Sequence, residues 1–130
     1  WAEYYPNAEI VGIDINDKSH LDIPGVKIMQ LDGTDPKQLK SLGMFDIIID
    51  DGSHMTEDQQ KSFEYLYLNH LNKKGYYIIE DLHTSFMPNY VNSDFTTIEY
   101  LERAVLKYDF FHRDKRVKDS MTCIIRAGQL

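Results

Sequence analysis

Four short apolar runs, each closed by a carboxylate, constrain this chain more than any other feature. They are Glu9-Ile10-Val11-Gly12-Ile13-Asp14, then Val26-Lys27-Ile28-Met29-Gln30-Leu31 with Asp32 next. Phe45-Asp46-Ile47-Ile48-Ile49-Asp50 follows with Asp51 next, and Tyr76-Tyr77-Ile78-Ile79 runs into Glu80-Asp81. Nearly continuous apolar runs of this length read as strands of a buried parallel sheet, and the third as one covered on both faces. Strands that alternate with helical segments predict an α/β fold with helices on both faces of a mostly parallel sheet. In such sheets ligands bind beyond the C-terminal strand ends, which is where the acids stand.

The segments between the runs carry helix signals. Asp35-Pro36 reads as an N-cap followed by proline at the first helical position, with Gly43 as the stop. Thr56 with Gln59 fits a capping box, as does Thr96 with Glu99. Phe63, Leu66, Tyr67 and His70 form one inward stripe of a helix from Thr56 to about Asn72, ended by Lys73-Lys74-Gly75. His83 to Asn92 reads as a long loop. Phe95, Ile98, Leu101 and Val105 are expected to face the core of a further helix. Tyr108 to His112 and Met121 to Arg126 are expected strands forming an antiparallel edge, with Asp114-Lys115-Arg116 as a solvated turn between them.

A chain of 130 residues fits one domain, residues 1–130, with a core of its own. Fourteen Lys and Arg against twenty-one Asp and Glu give a formal charge of -7, which disfavours a nucleic-acid surface. No apolar run reaches the roughly 18–20 residues of a membrane span, and no signal peptide is visible. A single cysteine, Cys123, excludes an internal disulfide or a zinc ribbon and makes a cytoplasmic setting the expectation.

Asp14 suits the carboxylate that accepts hydrogen bonds from ribose hydroxyls in nucleotide-binding sheets. Asp32-Gly33 could meet an adenine edge, and a plain turn is an equal reading. In such folds a glycine-rich turn lies about 20 residues before the ribose acid, here before position 1. No Gly-x-Gly occurs in the chain. The expectation is therefore a sheet lacking its first strand and glycine loop.

The stronger constellation joins Asp51, His54, Glu80 and Asp81. If their strands are neighbours, the strand ends lie about 5 Å apart, so three carboxylates can converge, and a divalent cation relieves the repulsion. Oxygen ligands favour Mg²⁺, with Mn²⁺ or Ca²⁺ as alternatives. His54, three residues after Asp51, is the candidate base, since a neutral imidazole can take a proton from a hydroxyl. His83 stands close enough to the acids to contact a substrate. His20, His70 and His112 have no such neighbours and read as structural or exposed.

The Gly12-Ile13-Asp14-Ile15, Ile49-Asp50-Asp51-Gly52-Ser53-His54 and Glu80-Asp81-Leu82-His83-Thr84-Ser85 segments together resemble the macrocin/mycinamicin sugar O-methyltransferases. The cephalosporin hydroxylase-like proteins share much of the pattern. The resemblance covers about Trp1 to Tyr90. It implies a Rossmann-like class I methyltransferase fold, S-adenosylmethionine as cofactor, and antibiotic tailoring by methyl transfer to a sugar hydroxyl. Carried over by position, Asp51, Glu80 and Asp81 are metal ligands and His54 is the general base. Asp14, Asp32, Gly33 and Asp50 lie on the cofactor side. It also implies self-association, and two unpaired inner strand edges that close on one another or associate.

Two other classes fit the same acids. A metal-dependent hydrolase would use water in place of the sugar hydroxyl and would need no ribose clamp at Asp14. A non-catalytic nucleotide-binding or assembly module would bind without turnover.

Overall fold

A computed structural model describes residues 1–104, 109–112 and 121–128. The chain divides into two compact units, Trp1–Ser41 and Leu42–Leu130. No described helix is long and apolar enough to cross a membrane.

In the first unit, β1 (Ile10–Asp14) and β2 (Val26–Gln30) pair in parallel, with Ile10 opposite Val26 and Asp14 opposite Gln30. The short helix α1 (Pro36–Leu39) starts as the residues dictate: Asp35 Oδ1 accepts from the Lys37 N–H at 2.9 Å, and Pro36 takes the first position. That hydrogen bond holds the Asp35 carboxyl below its ordinary pKa. Leu39, fully buried, is the helix's core residue. The helix ends there, before Gly43, where the Lys40 N–H closes on Pro36 O.

The second unit carries a four-stranded sheet in the order β3-β4-β6-β5. β3 (Phe45–Asp50) and β4 (Leu71–Ile79) are parallel. β6 (Met121–Arg126) is antiparallel to β4 and to β5 (Asp109–His112), so the expected antiparallel edge is present. Helix α2 (Thr56–Asn69) packs Phe63, Leu66 and Tyr67 against the sheet, where Tyr77, Ile79, Cys123 and Ile125 are fully buried. The Phe63 ring meets Tyr77 edge-on at 5.2 Å. Each large apolar side chain buried this way contributes about 1.5–3 kcal/mol. Helix α3 (Thr97–Ala104) adds Leu101, fully buried.

Several local expectations give way to longer-range contacts. Helix α2 stops at Asn69 because the chain enters β4 at once: the Phe45 N–H bonds His70 O at 2.8 Å, and Leu71 stands opposite Phe45. Lys73-Lys74-Gly75 therefore lie inside β4, at a register shift between Leu71 and Tyr76. A Cβ on Gly75 would sit 2.7 Å from Asp46 O, so this position needs glycine for close approach and not as a helix stop.

The capping box at Thr96 and Glu99 forms, with the Glu99 N–H on Thr96 Oγ1 at 3.2 Å and the Thr96 N–H on Glu99 Oε2 at 2.9 Å. The one at Thr56 and Gln59 does not. Met55 is the N-cap of α2 and makes no side-chain cap, while Asn92 Oδ1 accepts from the Glu57 N–H at 2.9 Å and from the Thr56 hydroxyl at 3.1 Å. Gln59 turns inward to accept from the Thr97 hydroxyl at 2.7 Å. Phe95 is 38% exposed, with the Arg103 guanidinium 3.8 Å above its ring. Among the described residues β3 stands at the end of its sheet, and Ile47 is 56% exposed, so the strand is not covered on both faces. The expectations for Val105, Tyr108 and the Asp114-Lys115-Arg116 turn lie outside the described residues.

Candidate functional site

Parallel pairing of β3 and β4 sets Asp50 opposite Ile79, and the ladder ends one step later with the Glu80 N–H on Asp50 O at 2.9 Å. Asp51 and Asp81 are the first residues beyond that last bond on their two strands. The chain then breaks direction on both sides. Asp81 takes a left-handed backbone (φ 52°) into the 3-10 turn Leu82–Phe86, and His54 (φ 61°) turns the chain into α2.

These turns bring three side chains together. Ligand atoms of Asp51, His54 and Asp81 all lie within 4.8 Å of one another. His54 Nε2 is 3.9 Å from Asp51 Oδ1 and 3.7 Å from Asp81 Oδ2. These distances are too long for hydrogen bonds. His54 Nδ1 is buried without a hydrogen-bond partner. His83 Nδ1 is likewise buried and unpartnered, 3.7 Å from the other Asp81 oxygen. Two carboxylates stand around an imidazole, and among the described residues no hydrogen bond reaches either carboxylate.

The other residues singled out in the sequence lie as follows. Glu80 follows β4, half-buried, and is not a member of the Asp51–His54–Asp81 group. Asp50 accepts from the Tyr77 hydroxyl at 3.0 Å and from the Gly52 N–H at 3.3 Å. Burial pushes its carboxyl above the ordinary range, and the Tyr77 bond partly offsets this. The Tyr77 hydroxyl is pushed well up by its own burial and by the Asp50 charge.

In the first unit, Asp14 ends β1 and accepts from the Asn16 N–H at 2.7 Å and the Asn16 amide at 3.2 Å. The backbone bond from Asn16 holds this carboxyl below its ordinary pKa, so it is ionised at neutral pH. Asp32 accepts from the Thr34 N–H and hydroxyl at 2.8 and 2.7 Å, and Gly33 lies in that turn.

The group suits a hard divalent ion. Oxygen ligands about 2.1 Å from Mg²⁺ lie roughly 3–4 Å apart, and the observed spread is only slightly wider. The Asp51 and Asp81 side chains are 63% and 41% exposed, so both can adjust by rotation and leave positions open to solvent or substrate.

Residues that local sequence signals did not bring forward also shape the site. The buried Thr84 hydroxyl lies 3.2 Å from His54 O and 2.9 Å from Asp81 O. Its place three residues after Asp81 in the Glu80-to-Ser85 segment was the available signal. Tyr77 and Asn92 carried none, since their partners lie 27 and 35 residues away.

No protein-family model matches the chain. Mycinamicin VI 2''-O-methyltransferase of Micromonospora griseorubida is 38% identical over 94 residues, 69% of this chain and 23% of that protein. A tetracenomycin-type rhamnosyl 2'-O-methyltransferase of Streptomyces olivaceus is 36% identical over 113 residues, 81% of this chain and 30% of that protein. The chain thus spans about a quarter to a third of the length of these relatives. The structure of MycE methyltransferase from the mycinamycin pathway, solved with Mg, SAH and mycinamycin VI, superposes with a TM-score of 0.80 at 27% identity. That match covers 98% of this chain and 38% of MycE. The fold is Rossmann-like, of the class I methyltransferase type. By sequence and by fold, the chain is similar to one part of the sugar O-methyltransferases of the macrocin and mycinamicin type.

Proposed function

We propose that this chain carries the acceptor-activating part of an S-adenosylmethionine-dependent O-methyltransferase acting on a sugar hydroxyl of a glycosylated natural product. The observation that carries this reading is the convergence of Asp51, His54 and Asp81 at the ends of two paired strands. Asp51 and Asp81, with Glu80 next to them, would hold Mg²⁺ or Mn²⁺. Bound there, the ion would supply Lewis-acid polarisation of the acceptor hydroxyl.

His54 acts as the base. Its Nε2 faces the space between the two carboxylates, where an acceptor hydroxyl meets both the acids and the imidazole. The hydroxyl proton passes to His54 as the oxygen attacks the sulfonium methyl carbon. The C–S bond breaks as the C–O bond forms, leaving S-adenosylhomocysteine as a neutral thioether and the imidazole protonated. Asp51 and Asp81 stabilise the imidazolium by charge. By the resemblance, Asp14, which is ionised, would offer oxygens to the cofactor ribose, and Asp32, Gly33 and Asp50 are each carried over as cofactor contacts.

The same reading includes self-association through the edges of β1 and β3 that no strand pairs among the described residues, and a cytoplasmic setting.

The test is transfer of a labelled methyl group from S-adenosylmethionine to deoxysugar-bearing macrolides. Label in the sugar that requires Mg²⁺ and is lost in His54→Ala supports the reading. Metal-dependent cleavage of the acceptor without label transfer overturns it in favour of a hydrolase.

A further inference from the structure

The hydroxyl of Thr84 touches the backbones of both His54 and Asp81, the non-glycine left-handed positions among the described residues. It lies 3.2 Å from His54 O and 2.9 Å from Asp81 O, with both carbonyls as acceptors. Thr84 is 4% exposed. Its own N–H also bonds Asp81 O, at 3.0 Å, which fixes the first step of the 3-10 turn. The bond to Asp81 is therefore doubled locally. The bond to His54 spans 30 residues and ties the β3–α2 turn to the β4 turn.

A non-glycine residue in the left-handed region costs of order 1–3 kcal/mol and persists only when its surroundings hold it. Among the described residues, His54 and Asp81 are the two such positions. Relaxation of either turn would swing its side chain out of the group. A single hydroxyl proton shared between the two carbonyls opposes both relaxations at once.

We propose that Thr84 is a positioning residue that presets the Asp51–His54–Asp81 site for its cation by clamping the His54 and Asp81 carbonyls together. This inference rests on the reading of that group as a divalent-cation site. Thr84 is not among the grouped ligand residues. Its effect passes through the two backbones it joins, as with outer partners of metal ligands, whose loss costs about 10–100-fold in affinity.

The experiment compares wild type, Thr84→Val, Thr84→Ala and Thr84→Ser by Mn²⁺ titration with electron paramagnetic resonance detection, well below each melting temperature. Circular dichroism establishes folding. Thr84→Val, which keeps the shape and removes the donor, is expected to bind Mn²⁺ about tenfold or more weakly. Thr84→Ser, which keeps the donor, is expected to bind within about twofold of wild type by the same reasoning.

Unchanged affinity in a folded Thr84→Val, or in a folded Thr84→Ala, overturns the proposal even if the melting temperature falls. So does a Thr84→Ser as weak as Thr84→Val. Failure of both Val and Ala variants to fold assigns the hydroxyl to folding and overturns it as well. Wild type that binds no Mn²⁺ overturns the reading of the site itself, an outcome distinct from all the others.

Discussion

His54 and Asp81 face each other at 3.7 Å, imidazole nitrogen to carboxylate oxygen, and both hold left-handed backbones. They lie on different strand-to-helix turns, yet they share the same unfavourable conformation and the same bracing hydroxyl of Thr84. Strain concentrated in two facing residues is costly unless it serves to aim them. The predictions below follow from that pairing and from the groups around it.

Asp81→Asn separates ligand chemistry from backbone strain. Asparagine tolerates the left-handed region about as well as aspartate, so melting should stay near wild type. The anionic ligand is lost, so Mn²⁺ affinity should fall at least as far as the roughly 10–100-fold cost of losing an outer partner. Titration and thermal melting on the same sample check both halves.

His54→Gly and His54→Ala should both abolish methyl transfer while leaving S-adenosylhomocysteine binding nearly intact. They should differ in stability. Glycine adopts φ near 61° without a Cβ penalty, so His54→Gly should be more stable than His54→Ala by about 1 kcal/mol. Chemical denaturation of the two variants decides it.

Tyr77→Phe removes the hydroxyl that Asp50 accepts at 3.0 Å in the buried region beneath the site. An unsatisfied buried acceptor costs about 1–3 kcal/mol, so the unfolding midpoint should drop accordingly. The Asp50 carboxyl, already raised by burial and partly restrained by Tyr77, should rise further.

Glu99 supplies the pH-dependent prediction. Hydrogen bonds from Thr96 hold its folded carboxyl below the ordinary value. Its contribution is therefore present above that ordinary value and fades as pH falls through the lowered one. Glu99→Ala should destabilise the protein at neutral pH, and the gap to wild type should narrow in acid. Melting curves across the carboxylate range read this directly.

What the sequence made legible was what local patterns control. Apolar runs ending in acids marked four strands, and the parallel pairing of the third and fourth placed Asp51 and Asp81 on adjoining ends. Asp35 and the Thr96–Glu99 pair announced their helix starts because capping acts within a few residues. Lys73-Lys74-Gly75 misled because the signal of a helix stop is also that of a glycine forced by a close backbone approach. Thr56 looked like an N-cap, but Asn92 reaches the helix end from 35 residues away, and no local pattern records such a partner. Phe95 sat on the core stripe of its segment, yet Arg103 covers its ring at the surface.

The central claim is that Asp51 and Asp81 grip one cation beside His54. A crystal structure of the Mn²⁺-soaked protein, with anomalous scattering recorded at the manganese edge, tests it most directly. The account predicts one strong anomalous peak about 2.1–2.3 Å from oxygens of both carboxylates, with the His54 ring alongside. Fully diffracting crystals with no peak there, or with the Asp51 and Asp81 carboxylates turned away from each other, would contradict it.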